Sequence, residues 1–153
     1  MLEFPIESVQ SSNSFEGQKP IVPLSILMAE DHFLNQISTK KVLQSWSDNV
    51  TVEIAENGKI ALDKVSEQKY DLILMDIQMP EMDGYRATAA IRKLDDPIKR
   101  DVPIIALTAS AFLTHEDKAK LFGMNEHVGK PFSPDELIEK IDKLLKIHSR
   151  KER

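Results

Sequence analysis

The chain has 153 residues, 41% hydrophobic and 29% charged, with a net charge of −5, a balance that supports one packed domain and excludes a disordered chain. It has no run of roughly eighteen apolar residues for a membrane span, no basic-then-apolar start for a secretory signal, and no cysteine for a disulfide frame, thiolate metal site or cysteine nucleophile. An acidic total speaks against a nucleic-acid surface, which needs a basic stripe, so a cytoplasmic domain making no membrane contact of its own is expected.

Residues 1–24 are rich in Ser, Pro and polar residues without a period, and read as a linker or leader. Residues 149–153 form a basic tail, leaving 25–148 as the folded unit and the holder of the acidic excess. Its first predicted strand, Ser25–Ala29, precedes a helix over Phe33–Trp46. The second, Val50–Glu56, alternates in polarity and suits a sheet edge. The third, Leu72–Met75, and the fourth, Val102–Leu107, are nearly continuous apolar runs, as in parallel strands covered on both faces. Pro103 is tolerable at a strand's beginning. Thr114 and Asp117 open a further helix that Gly123 is placed to close, and a short fifth strand covers His127–Val128. Ser133, Pro134 and Glu136 supply the N-cap, first-position proline and capping-box glutamate of the last helix, whose Leu137, Ile138, Ile141, Leu144 and Leu145 share one face. Five strand–helix units predict an open, doubly wound parallel sheet.

In such sheets the ligand site lies beyond the carboxyl ends of the strands. Glu30 and Asp31 follow the first predicted strand, Asp76 the third, Thr108 the fourth, and Lys130 comes shortly after the fifth. Clustered carboxylates repel one another, and a hard divalent cation with oxygen ligands neutralises them. Magnesium, or manganese, would leave coordination positions for a phosphoryl oxygen, with the ammonium and hydroxyl opposite. Phosphoryl transfer needs chiefly positioning and charge neutralisation, and a carboxylate there can be the nucleophile.

The segments LMAED, LILMDIQMPEMDGYRA, IIALTAS and GMNEHVGKPF match, in order and spacing, the signature segments of the response-regulator receiver domain, which the chain resembles from about Leu24 to Lys146. The resemblance implies a flavodoxin-like five-stranded sheet in the order 2-1-3-4-5. It implies Asp76 as phosphoacceptor, Asp31 as direct magnesium ligand, Glu30 as its neighbour acting through bound water, and the Gln78 carbonyl as a further ligand. Thr108 and Lys130 would hold the phosphoryl group, and small Ala109 would border the donor's access path. Gln78 and Ser110 lie where the family modulates phosphate lifetime, so their substitution is expected to change dephosphorylation more than phosphorylation. His127 stands where many receivers carry a switching tyrosine or phenylalanine, which implies weakened aromatic gating.

Taken singly, Asp31 is most simply a cap for the helix from Phe33, Asp76 a loop carboxylate, Thr108 a strand-end hydroxyl and Lys130 a solvated charge. Only their convergence carries the chemistry. His32, His115 and His148 have no metal-binding spacing. The resemblance implies a phosphorelay module that takes phosphate from a histidine kinase or histidine phosphotransfer domain. The long leader and the opening LSILMAEDHFLNQ are closest to the terminal receiver of a hybrid histidine kinase, with a stand-alone regulator as the alternative and the oligomeric state open. An aspartyl-phosphate hydrolase would want a second aspartate where Gln78 stands.

Overall fold

The structure, a computed structural model, describes residues 23–108 and 123–152. Most of the leader, Ala109, Ser110 and the helix start at Thr114 and Asp117 lie outside the described residues. Strand β1 spans Leu24–Ala29, helix α1 Phe33–Trp46, β2 Val50–Ala55, α2 Gly58–Glu67, β3 Leu72–Asp76 and α3 Gly84–Ile91. A single turn, α4, covers Pro97–Arg100, followed by β4 over Ile104–Thr108, β5 over Glu126–Gly129 and α5 over Pro134–Glu152. The sheet runs β2-β1-β3-β4-β5 with every pairing parallel. This is the flavodoxin-like order, and its direction reverses between β1 and β3, which opens a crevice there.

Alternate residues of the central strands feed two separate cores, because successive side chains point to opposite faces. Leu27, Ile73, Met75, Ile104 and Ala106 pack with Ala61 and Val65 of α2 and Ala87 and Ile91 of α3. Ile26, Met28, Leu72, Leu74, Ile105 and Leu107 pack with Leu43 and Trp46 of α1 and Leu137, Ile138 and Ile141 of α5. Covering both faces explains why β3 and β4 are buried at every position. β2 lies at the edge and exposes Thr51, as its alternating sequence predicts.

Two strand ends differ from expectation, and both matter for the site. Asp76 and Thr108 do not follow their strands but close them, because their backbones stay in the ladder, Asp76 opposite Leu107 and Thr108 opposite Gly129. The sheet itself therefore holds both residues. The cap of α1 also departs from the simple reading. Its N-cap is His32, which makes no side-chain cap bond; Asp31 is turned instead toward the other carboxylates. On α5 the expected cap is present, with Ser133 Oγ accepting from Glu136 N at 3.1 Å.

At the opposite end of the sheet, Arg92 after α3 binds the chain together. Its three guanidinium nitrogens donate five hydrogen bonds, to the carbonyls of Arg100, Val102 and Gly123 and to Asn125 Oδ1. Asn125 Oδ1 also accepts from Ile104 N at 2.8 Å, so one side chain ties the starts of β4 and β5 to α3. Gly123 has φ +93°, a left-handed conformation suited to glycine, and a Cβ there would press on the Arg92 stem.

Candidate functional site

β1 and β3 are neighbours in register, Ala29 opposite Met75, so the residues just beyond them emerge side by side at the crevice. Glu30, Asp31 and Asp76 each offer a carboxylate oxygen, all within 4.8 Å of one another. Glu30 and Asp76 are nearly excluded from solvent, at 1% and 6% exposure, and Thr108 on the neighbouring strand is equally buried. Lys130 follows β5, with its N–H donating to the Thr108 carbonyl at 2.7 Å and the Lys130-Pro131 peptide bond cis. Its ammonium reaches back over the crevice to Glu30 Oε1 at 2.8 Å and Asp76 Oδ1 at 3.5 Å.

The electrostatics follow from that geometry. Burial works against the ionised Glu30, but hydrogen bonds from Lys130 and from the His32 N–H, with the Lys130 charge and a bond from Asn35, outweigh it and hold its carboxyl below the usual range. Asp76 fares the other way. Burial pushes its carboxyl up to about 6, Lys130 pulls against this, and the nearby Glu30 and Asp31 push it further. One ammonium thus faces three carboxylates and serves Glu30 first.

The residues fit a hard cation. The donor set is all oxygen, the charges are unbalanced, and Asp31 Oδ1 is buried without a hydrogen-bond partner. A buried acceptor of that kind costs roughly 1–3 kcal/mol unless something satisfies it, and a cation bridging these carboxylates would do so. The loop after Asp76 returns toward the crevice through Gly84 N, which donates to the Ile77 carbonyl at 2.8 Å. Asp83 Oδ1 caps α3 by accepting from Arg86 N at 2.8 Å.

The structure thus brings Glu30, Asp31, Asp76 and Lys130 together, with Thr108 beside them. Gln78 lies on the following loop with an exposed side chain. His127 is half-buried on β5, opposite Ala106; its Nδ1 lies 3.6 Å from Glu126 Oε1 and its carbonyl accepts from Lys140 Nζ at 2.7 Å. Sequence reading passed over the support around the cluster. Gln36 Nε2 donates to the Glu30 carbonyl at 2.7 Å. Asn57 caps α2 through Ile60 N, and Gly58 N donates to the Met82 carbonyl at 2.9 Å. The Asn-Gly pair after β2 was the available signal for this last contact.

Beside the crevice, a cavity of about 370 Å³ opens between α1 and the Lys130-Pro131-Phe132 turn. Next to it, α1 leaves Phe33, Leu34 and Ile37 exposed, an unusual run of apolar side chains in water.

The chain belongs to the response regulator receiver domain family, which matches residues 26–142. It is 40% identical over 127 residues to hybrid signal transduction histidine kinase I of Dictyostelium discoideum, covering 80% of the chain and 7% of that protein. Sensor protein EvgS of Escherichia coli (strain K12) is 34% identical over 151 residues, covering 95% of the chain and 12% of that protein. The chain therefore spans a small fraction of the curated relatives it matches. Among solved structures, the receiver domain of a Pseudomonas aeruginosa sensor histidine kinase, with magnesium ion coordinated in the active site cleft, superposes with a TM-score of 0.74 at 35% identity, covering 82% of this chain and 99% of that one. The receiver domain of a Saccharomyces cerevisiae response regulator, co-crystallised with a histidine phosphotransfer signaling protein, gives 0.74 at 28% identity, covering 85% and 94%. The protein is a two-component receiver domain, of the kind found in hybrid histidine kinases.

Proposed function

We propose that this receiver accepts a phosphoryl group from phosphohistidine onto Asp76. The convergence of three carboxylates and one ammonium at the switch point carries the reading. Glu30, Asp31, Asp76 and the Gln78 carbonyl would hold magnesium, which when bound neutralises the carboxylates and the incoming phosphoryl oxygens. An Asp76 carboxylate oxygen forms the new bond to phosphorus as the phosphorus–nitrogen bond breaks, its electron pair leaving on the imidazole nitrogen. Lys130 releases part of its hold on Glu30 and Asp76 to pair with the transferred group, and the Thr108 hydroxyl donates to it. Burial of Asp76 supports this role, since a poorly solvated carboxylate is the better nucleophile. The acyl phosphate then biases a two-state equilibrium through Thr108 and the loop after it, with His127 a weaker gate than a tyrosine or phenylalanine.

The donor is a protein. Phe33, Leu34 and Ile37, beside the crevice, offer an exposed apolar surface for a histidine-bearing protein, and a similar receiver domain is co-crystallised with a histidine phosphotransfer signaling protein. Similarity to hybrid kinases supports the receiver of such a kinase, with residues 25–148 as the receiver and residues 1–24 as its linker. Incubation with a small-molecule phosphodonor, with and without magnesium, tests the central point. One added phosphoryl group by intact mass, lost in Asp76→Asn, is expected; no adduct with any donor would leave only an interaction module.

A further inference from the structure

Gly58 is not one of the residues that form the cluster of carboxylates and ammonium. It opens α2, at the end of the turn that follows edge strand β2. Its N–H donates to the Met82 carbonyl at 2.9 Å. A Cβ built on Gly58 would stand 2.2 Å from Met82 O, 2.9 Å from Met82 C and 3.0 Å from Asp83 O. Those neighbours are backbone atoms, which cannot swing aside as the end of a flexible side chain can. Gly58 does not have the left-handed φ of Gly123, so the demand for glycine here is one of space.

The loop it touches, residues 77–83, is short and held at both ends. Ile77 N donates to the Leu107 carbonyl at 3.3 Å, Gly84 N to the Ile77 carbonyl at 2.8 Å, and Met82 N to the Pro80 carbonyl at 2.7 Å. Gly84 is itself pressed on the acceptor strand, a Cβ there falling 2.2 Å from the Asp76 carbonyl oxygen. Glu81 sits at φ +68°, so the loop has little slack. A methyl at Gly58 must therefore move Met82 and Asp83 by about 1 Å to reach ordinary contact distance, and the shift passes along a tied loop to Gln78 and Asp76. Sites of this kind tolerate about 0.5 Å.

We infer that Gly58 is a positioning residue for the phosphoryl site: the α2 N-terminus is a stop against which the loop after Asp76 is set, and only the absence of a side chain at Gly58 lets the Gln78 carbonyl and the Asp76 carboxylate reach their working places together. This rests on the phosphoacceptor reading above and assigns the site a support from the second strand's turn, outside the strand ends that carry the chemistry.

The test compares wild type, Gly58→Ala and Gly123→Ala. Gly123→Ala adds a methyl at a strained glycine at the other end of the sheet, beside Arg92, and serves as the stability control. Magnesium alone is titrated by calorimetry, phosphorylation by acetyl phosphate is timed by intact mass, and amide shifts of residues 77–84 are recorded without metal. Gly58→Ala should weaken magnesium about tenfold, slow phosphorylation about 10- to 100-fold and shift the loop amides, while Gly123→Ala loses stability with magnesium affinity within twofold of wild type. If Gly58→Ala does not fold, Asn57→Ala, which frees the α2 N-terminus without adding bulk, should weaken magnesium about threefold. Wild-type magnesium affinity in the folded Gly58 variant, or in the Asn57 variant if that is needed, overturns the inference. Equal losses in the Gly58 and Gly123 variants also overturn it. A wild-type chain that takes neither magnesium nor phosphoryl would instead overturn the phosphoacceptor reading, and this inference with it.

Discussion

Asp76→Asn should make the metal-free domain more stable at pH 8 although it removes the proposed acceptor. Asp76 is almost wholly buried beside two other carboxylates, and its carboxyl is pushed up from 3.8 to about 6, first by burial and then by Glu30 and Asp31 against the pull of Lys130. At about 1.36 kcal/mol for each tenfold change in proton affinity, a carboxyl raised to about 6 makes ionising Asp76 cost the folded state up to about 3 kcal/mol above pH 7. Between about pH 4 and 6 the folded chain holds a proton that the unfolded chain has released, so this contribution falls as pH rises through that window and is flat above it. The amide is nearly isosteric and carries no charge. The variant therefore gains up to about 3 kcal/mol at pH 8, roughly 10 °C in Tm for a domain of this size, and less than about 1 kcal/mol near pH 4. Urea unfolding followed by fluorescence of the buried Trp46, in EDTA at pH 4, 6 and 8, measures the difference directly. Magnesium should then narrow the gap at pH 8, since a cation bound only by the folded state stabilises by RT ln(1 + [L]/Kd). A variant less stable than wild type at pH 8, or a gain independent of pH, would refute the account of Asp76 as an unbalanced buried charge.

Lys130→Met strands Glu30, which is 1% exposed and bonded to that ammonium, and should cost about 3 kcal/mol at pH 7. Because the wild-type Glu30 carboxyl is held below its ordinary range, the loss should shrink as pH falls below about 5, as urea titrations at both pH values would record. Arg92→Met leaves the Arg100, Val102 and Gly123 carbonyls without their shared donor and should cost about 2–4 kcal/mol, with magnesium affinity of the folded protein unchanged by calorimetry. Phe33→Asp combined with Leu34→Asp changes two side chains that are 69% and 75% exposed; stability should stay within about 0.5 kcal/mol. Transfer from a phosphohistidine protein should slow at least tenfold, while phosphorylation by acetyl phosphate holds its rate.

The sheet was legible because its periodicities are strong. A continuous apolar run such as LILM suits a strand covered on both faces, and the alternation of TVEIAE suits an edge, as β3 and β2 turn out to be. The site was legible for a related reason, since the ends of those runs mark where side chains leave the sheet. Asp31 illustrates what stayed hidden. An aspartate one residue before an N-cap position looks like a capping residue, yet its carboxylate joins the acidic cluster and its Oδ1 is buried without a hydrogen-bond partner. Local pattern states which residues are available for capping, not which tertiary neighbours compete for them.

The amino-acid sequence alone determined the number of strands, their succession along the chain, the position of the carboxylates at their ends and the resemblance to the family, because these depend on residue type and spacing. Only the tertiary structure decided how the charge is shared. Lys130 is 100 residues from Glu30 in sequence and 2.8 Å from it in space, and that contact holds one carboxyl down while its neighbour Asp76 is pushed up. It also decided that the turn after β2 supports the loop after β3. Burial and through-space Coulomb forces depend on distances that the folded chain alone sets.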